Sequence, residues 1–415
     1  MGKMSQHYDI CILGSGIVGR TLALLLARER LRVALVSPPT AQQPKADVPQ
    51  DVRAYALNAA SKALLESLRA WPDAKSATPV LGMQVQGDAK GHAPGKQGIV
   101  NFSAADQGVA ALAWIVDVPA LEEQLLQAVR FQPLIDVLAS QPTSASGVVS
   151  AHLQTQVRSD LTVICEGKSS VTRDELGVEF DVTPYHQHAI AARLKCNLPH
   201  GQIARQWFQN GEILAFLPLS DDLNAPSASN SEPCGNSVAL VWSVSPERSK
   251  ELMALSSEDF GKAVSLASHG ALGAMQLYSE RASWPLQLAR AGRWVGTHSV
   301  LGSWALAGDA AHTVHPLSGQ GLNLGLADVA ELAQVLGKRE YWRGVGDARL
   351  LRRYERARKL DTLALSTVTD GLQQLFARGN NHEAVPWQML RNLGMQGFER
   401  SGGLKHWVTK RAMGL

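Results

Sequence analysis

Apolar positions along the chain follow three rhythms, and the changes between them divide it. Residues 8–37 read as a strand–helix–strand unit: an apolar run ending at Leu13, a glycine turn, a helix over 21–30 carrying four leucines, and a second strand over 32–36. A Pro-, Gln- and Ala-rich loop over 38–52 precedes a helix predicted over 61–70. Between Gly82 and Gly108 the sequence turns glycine-rich, with short alternating pieces that predict strands leaving for a second sheet. Residues 114–116 return to the first unit, and Pro119 opens a helix where a missing amide hydrogen costs nothing, with Leu121, Leu125 and Val129 on one face. Residues 161–165 predict another buried strand. From 185 to 288 the pattern becomes that of an antiparallel sheet, with strands expected over 189–194, 212–219 and 237–244 and a polar hairpin tip over 220–237. Beyond Gly325 it is helical, over 326–336 and 347–368, with a basic amphipathic final piece and no internal repeat.

These rhythms predict an α/β protein in which a nucleotide-binding domain is interrupted by a sheet domain. The expected division is 1–80, 111–184 and 296–345 for the nucleotide domain, 81–110 and 185–295 for the substrate domain, and 346–415 for a C-terminal helical region. A length of 415 residues exceeds one ordinary core, and 45% hydrophobic with 19% charged residues describes a globular chain. The net charge of +3 is too small and too dispersed to argue for nucleic acid. Cys11, Cys165, Cys196 and Cys234 are widely spaced with no secretory signal ahead of them, which points to free thiols. No apolar window is long enough for a membrane span. The expected address is cytoplasmic, with room for peripheral contact at the inner membrane face.

Chemistry enters at two places. Gly14, Gly16 and Gly19 have the G-x-G-x-x-G spacing between a strand and a helix: the first for the turn, the second for approach of backbone to a pyrophosphate, the third for packing of helix on strand. That motif alone does not separate NAD from FAD. Residues 304–325 do: they read as a buried strand, a turn carrying one carboxylate at Gly308 and Asp309, and a glycine-rich entry into a helix. Asp309 can accept from a ribityl or ribose hydroxyl, and the amides at Gly319, Gln320 and Gly321 favour the negative charge that a reduced isoalloxazine carries.

The blocks Tyr8-Asp9 through Gly19, Asp51-Val52-Arg53 through Ser61, and Gly308-Asp309 resemble the group A FAD-dependent monooxygenases. Within that group, Tyr185-His186-Gln187-His188, residues 203–208, Leu217-Pro218-Leu219, Trp284-Pro285-Leu286 and the terminal residues 412–415 are similar to the ubiquinone-biosynthesis aromatic hydroxylases. The resemblance implies a Rossmann-type FAD-binding domain interrupted by a mainly antiparallel β-sheet substrate domain, with C-terminal helices, as in para-hydroxybenzoate hydroxylase. It implies that Arg53 approaches the cofactor, that Asp309 holds its ribityl or pyrophosphate region, and that Pro316 and residues 318–323, Asn323 included, line the flavin and the place where the substrate ring meets it. His315 and Pro316 are the expected active-site lining, and no catalytic base is assigned. The implied reaction uses NADPH or NADH, docking transiently, and O2: a flavin C4a-hydroperoxide transfers oxygen to an electron-rich carbon of an aromatic, prenylated ring.

Three positions depart from the family pattern. Ser37 stands where an acidic residue takes the adenosine ribose, and the loss of a charged hydrogen bond predicts FAD retention weaker by about tenfold. Pro119 replaces a polar residue aimed at the flavin, and Glu166 replaces the aspartate of a segment running to Arg173. These departures motivate an alternative, a non-catalytic member that binds lipid or partner proteins. As a plain charged turn, the same segment would pair Arg173 with Glu166 or Glu175. His312 with His315, and His186 with His188 on one strand face, have no third ligand and are not read as metal sites. Lys405, Trp407, Lys410 and Arg411 suit an anionic membrane, a partner enzyme or a plain terminal helix equally.

Overall fold

The computed structural model describes residues 6–37, 51–87, 99–139, 157–220, 235–314 and 320–377, with side chains described from His7 to Thr362 and not at Gln320. Among them three sheets form. The first has six strands, in the order Val295–His298, Gly302–Leu306, Val157–Ile164, Gln6–Leu13, Val33–Ser37, Ile135–Ala139, all parallel except the first pair. Its central strands are apolar on both faces because both are covered: Ile10, Ile12, Val33 and Val163 are fully buried. The helices Ile17–Arg28, Val118–Arg130 and Gln320–Gly337 pack against this unit or one another. The first begins directly after the glycine turn, earlier than residue 21, because the turn itself supplies its first exposed amides.

The second sheet has nine strands and is antiparallel apart from one pair. Its spine is Phe180–Cys196, Ser237–Val244, Glu212–Leu219 and Ile203–Gln209, extended at one side by Gly82–Gln86 and Ile99–Ser103. The two glycine-region strands thus join the second sheet. One face packs Ile190, Trp207, Phe216 and Trp242 against the helices Pro246–Ala254 and Ser257–Ala267, with Phe260 fully buried there. The other face is left for a cavity.

Phe180–Cys196 starts ahead of residue 185 and carries an irregularity between Pro184 and His188, where His186 takes a φ of 53°. Simple alternation therefore fails, and the expectation that His186 and His188 share a face is overturned: His186 is exposed and His188 half-buried. A third sheet, Ala54–Leu57, Ala113–Asp117 and Ala77–Val80, lies between the two larger units. The helix expected over 61–70 is Ala59–Ser67, its start fixed by Asn58, whose side chain accepts from the Ser61 amide. Cys11, Cys165 and Cys196 are buried free thiols, and Cys234 lies outside the described residues, as does most of the polar tip over 220–237.

Candidate active site

The three glycines have three different surroundings. A Cβ on Gly14, which has a φ of 107°, would sit 2.4 Å from the Cys165 carbonyl oxygen, and one on Gly19 would sit 1.9 Å from the Gly14 carbonyl oxygen. Those two positions are closed by protein. A Cβ on Gly16 would meet nothing within 4 Å. The open side of Gly16 is the N-terminus of Ile17–Arg28, where free amides and the helix dipole favour an anion, so this loop fits a dinucleotide pyrophosphate. Ser37, at the end of its strand, is buried and shares a 2.7 Å hydrogen bond with Ser15 in the loop. Its hydroxyl tethers the loop to the strand.

Asp309 stands in a single 3-10 turn, Gly308–Ala310, at the end of Gly302–Leu306. Its side chain is exposed to a cavity that is open on one side, so it is reachable by a ligand while protein packs densely behind it. Burial raises its pKa above the ordinary aspartate value, although His312, Lys168 and Arg53 act the other way. An acceptor held in such a place fits the hydroxyls of a ribityl chain.

A buried group that sequence reasoning missed holds this turn. Asp328, on Gln320–Gly337, accepts from the Gly308 amide at 2.9 Å, from His312 Nε2 at 2.6 Å and from Arg358 Nε at 2.8 Å. Burial alone would raise its pKa, but His312 and Arg358 more than offset that and hold it below the usual value. His312 stacks on Trp294 at a centroid distance of 5.0 Å, and Tyr354 donates to the Leu306 carbonyl at 2.8 Å. The available signal was a carboxylate, Asp328, flanked by apolar residues on the inward side of the run 326–336, where Glu331 is the other acid. Asn323 serves a similar end: its oxygen accepts from the Asn58 amide and Ser61 Oγ, and its nitrogen donates to the Ala56 carbonyl. Expected on the cofactor, its side chain instead ties the helix to the segment carrying Tyr55.

Arg53 lines the cavity, held by Asp51 through bonds from Nε at 2.9 and 3.0 Å and by Tyr55 through a 3.2 Å contact. The Asp51 bond raises the arginine's pKa, and Arg53 in return overcomes burial to lower that of Asp51. Glu166 does not pair with Arg173. Its two oxygens accept from Ser170 Oγ at 2.7 Å and from the Thr172 amide and hydroxyl at 3.1 and 2.9 Å, capping the helix Val171–Glu175. Arg173 bonds Asp174 and the Lys168 carbonyl and lies 3.6 Å from the Phe180 ring centroid. The extra methylene of Glu166 is thus used in a cap, while Gly167 and Lys168 line the cavity. Pro119 occupies the first turn of Val118–Arg130, and Glu122 of that helix lines the cavity.

Gly16, Arg53 and Asp309 open onto one cavity of about 1180 Å³ that continues over the free face of the large sheet. Its far half is walled by small and branched apolar side chains such as Ala191, Ala215, Ala239, Val241 and Leu217, with Trp284 and Pro285 at its side. Gly321 also lines it, and Gln320 begins the adjoining helix. His315, Pro316 and Gly319 lie outside the described residues. Among the described residues no group of three or more His, Cys, Asp and Glu side chains is arranged to hold a metal ion, and no helix is long and apolar enough to cross a membrane.

The family described as FAD binding domain matches residues 7–366 of the chain. A 3-demethoxyubiquinol 3-hydroxylase of Escherichia coli (strain K12) is 29% identical, covering 99% of this chain and 100% of the relative. A ubiquinone hydroxylase of Rhodospirillum rubrum is 29% identical, covering 100% of this chain and 91% of the relative. Among solved structures, PqsL of Pseudomonas aeruginosa, described as a probable FAD-dependent monooxygenase, superposes with a TM-score of 0.68 at 20% identity, covering 94% of this chain and 100% of that one. p-Nitrophenol 4-monooxygenase of Pseudomonas putida DLL-E4 gives a TM-score of 0.68 at 14% identity over 99% of both chains. These two likenesses show the fold.

Proposed function

Because this chain belongs to the FAD binding domain family, we propose that it is an FAD-dependent monooxygenase that hydroxylates an aromatic ring, a prenylated phenol of ubiquinone biosynthesis. The observation that carries this reading is the single cavity joining the open side of Gly16 and the Asp309 carboxylate to an apolar chamber on the large sheet. A flavin and an aromatic ring have to share one space, and this space has a polar half and an apolar half. FAD held there would supply the redox chemistry of an NAD(P)H- and O2-dependent hydroxylation, with one oxygen atom ending on the ring and the other as water.

The protein's own residues position and exclude. Backbone at Gly16 and the N-terminus of Ile17–Arg28 hold the pyrophosphate, and Asp309 accepts from sugar-chain hydroxyls. Arg53, pinned by Asp51, places a fixed cation at the cavity wall. The apolar wall packs the ring and keeps bulk water from the reaction. The non-catalytic alternative loses its motivation, since Ser37 and Glu166 each make a specific structural bond and the relatives carry hydroxylase names.

The test is the visible spectrum of the purified protein, before and after FAD, followed under NADPH and oxygen with a prenylated phenol. A flavin band bleached by NADPH and restored by oxygen, with hydroxylated product, is the expected result. Failure to bind added FAD would overturn the reading. For the C-terminus, outside the described residues, we propose contact with anionic membrane through Lys405, Trp407, Lys410 and Arg411. Truncation after about residue 400 should abolish co-sedimentation with anionic liposomes, and unchanged sedimentation would refute it.

A further inference from the structure

The floor of the apolar chamber is a row of residues in register across five strands. Ala282 pairs with Ala191, Ala191 with Val241, Val241 with Ala215, and Ala215 with Gln206. All five line the cavity. Four are apolar and mostly small, so the row makes room for a flat ring. The fifth is a carboxamide.

Gln206 is 7% exposed, and its side chain makes no hydrogen bond to any described residue. Strand alternation fixes which way it points: Trp207 beside it packs into the helix-covered core, so Gln206 shares the opposite, cavity-facing side with Ala204. Elsewhere on this sheet Trp242 Nε1 donates to Glu212 and the Gln187 amide nitrogen donates to the Gly211 carbonyl, whereas neither amide atom of Gln206 is used by any described residue. An apolar residue here would continue the row, so the one carboxamide of this floor presents its donor and acceptor to whatever fills the chamber.

We infer that Gln206 orients the aromatic substrate by hydrogen-bonding an oxygen substituent on its ring. This rests on the hydroxylase reading and adds the group that chooses the ring's rotation in the chamber. A carboxamide carries two donor hydrogens and an acceptor oxygen, so it serves a phenolic hydroxyl as acceptor and a methoxy or carbonyl oxygen as donor. The alanines contact the ring face and have no angular preference. With the oxygen fixed at Gln206, one ring carbon is presented to the flavin side, and the regiochemistry of hydroxylation follows.

The experiment compares a 2-prenylphenol with the matching prenylbenzene on the FAD-loaded full chain, in the wild type, Gln206→Leu and Gln206→Asn. Dissociation constants are read from flavin absorbance and thermal shift without turnover. The wild type should prefer the phenol by about tenfold, the size of one neutral hydrogen bond. Gln206→Leu should bind both compounds alike while keeping FAD affinity and an unliganded Tm at least as high as wild type. Gln206→Asn should restore part of the preference. Under turnover, Gln206→Leu should oxidise more NADPH per product formed and spread hydroxylation over more than one ring carbon. A Gln206→Leu protein that keeps the phenol preference, or a wild type that shows none, overturns the inference. A wild type that prefers the phenol yet never hydroxylates it overturns the hydroxylase assignment instead.

Discussion

At the scale of single residues the three glycines separate folding from ligand binding. Gly19→Ala puts a Cβ 1.9 Å from a backbone oxygen that cannot move without shifting the strand end, so it should lower the Tm of the ligand-free protein by several degrees, from roughly 1–3 kcal/mol of overpacking. Gly16→Ala adds a Cβ that meets no protein atom within 4 Å, at a φ of −72° that alanine adopts freely. Its ligand-free Tm should stay at the wild-type value while FAD affinity drops at least about tenfold; equal losses of stability in the two variants would contradict this division. Asp309→Ala should lose flavin with the fold intact, and full occupancy would refute the assignment. Its pH signature is also fixed. Burial raises the folded-state pKa, so above about pH 4 the folded protein keeps a proton that the unfolded chain has released, and ligand-free stability falls as pH rises through that window. Asp309→Ala should flatten that fall in denaturant titrations. The glycine spacing and Asp309 were legible because their geometry is local. Asn323 and Glu166 were not, since the first finds its partners more than 260 residues away and the second bonds a helix that its own side chain helps to start.

At the scale of elements, the Gly308–Ala310 turn depends on two helices that never reach the cofactor space with their charges. Asp328 and Arg358 come from Gln320–Gly337 and Ala348–Ala377, and their contact joins both helices to the Gly308 amide. Replacing Asp328 with Asn leaves the buried Arg358 with the half-exposed Asp361 as its remaining carboxylate and should cost about 3 kcal/mol in urea denaturation at neutral pH. The pH dependence has the opposite sign to that of Asp309. Asp328 has a folded pKa below the ordinary aspartate value, so its stabilisation is complete above about pH 4 and is lost as pH falls through the lower folded value. Asp328→Asn should therefore show a smaller acid-induced loss than the wild type, and an unchanged acid limb would argue that other carboxylates set it. The helices themselves were readable from their apolar period. Their mutual dependence was not, because the run holds two acids, Asp328 and Glu331, and the period names neither the buried one nor the residue that answers it.

At the scale of the whole molecule, one chamber has to be closed by two units built on different sheets, and the small third sheet makes the seam. Its strands were not distinguished in sequence, since four- and five-residue runs with half-buried sides carry little period, and their antiparallel partners are set by distant chain. Among the described residues an ion pair crosses the seam. Arg193, on the cavity-facing large sheet, bonds Asp117 and the carbonyls of Val52 and Asp51. Asp117 stands at the N-cap of Val118–Arg130 but makes no capping bond there, so its carboxylate is committed to the seam. The same guanidinium anchors the backbone from which Arg53 reaches the cavity. Arg193→Met keeps the stem and removes the charge, leaving a mostly buried carboxylate unpaired, and should cost about 3 kcal/mol. The loss should be unevenly distributed: hydrogen exchange should quicken at 51–57 and 113–117 while the central strand Gln6–Leu13 keeps its protection. FAD affinity should fall with it, because the Arg53 wall is no longer fixed. If exchange rises evenly across both large sheets, the seam is not an independent hinge, and the chamber is held by the two cores acting as one.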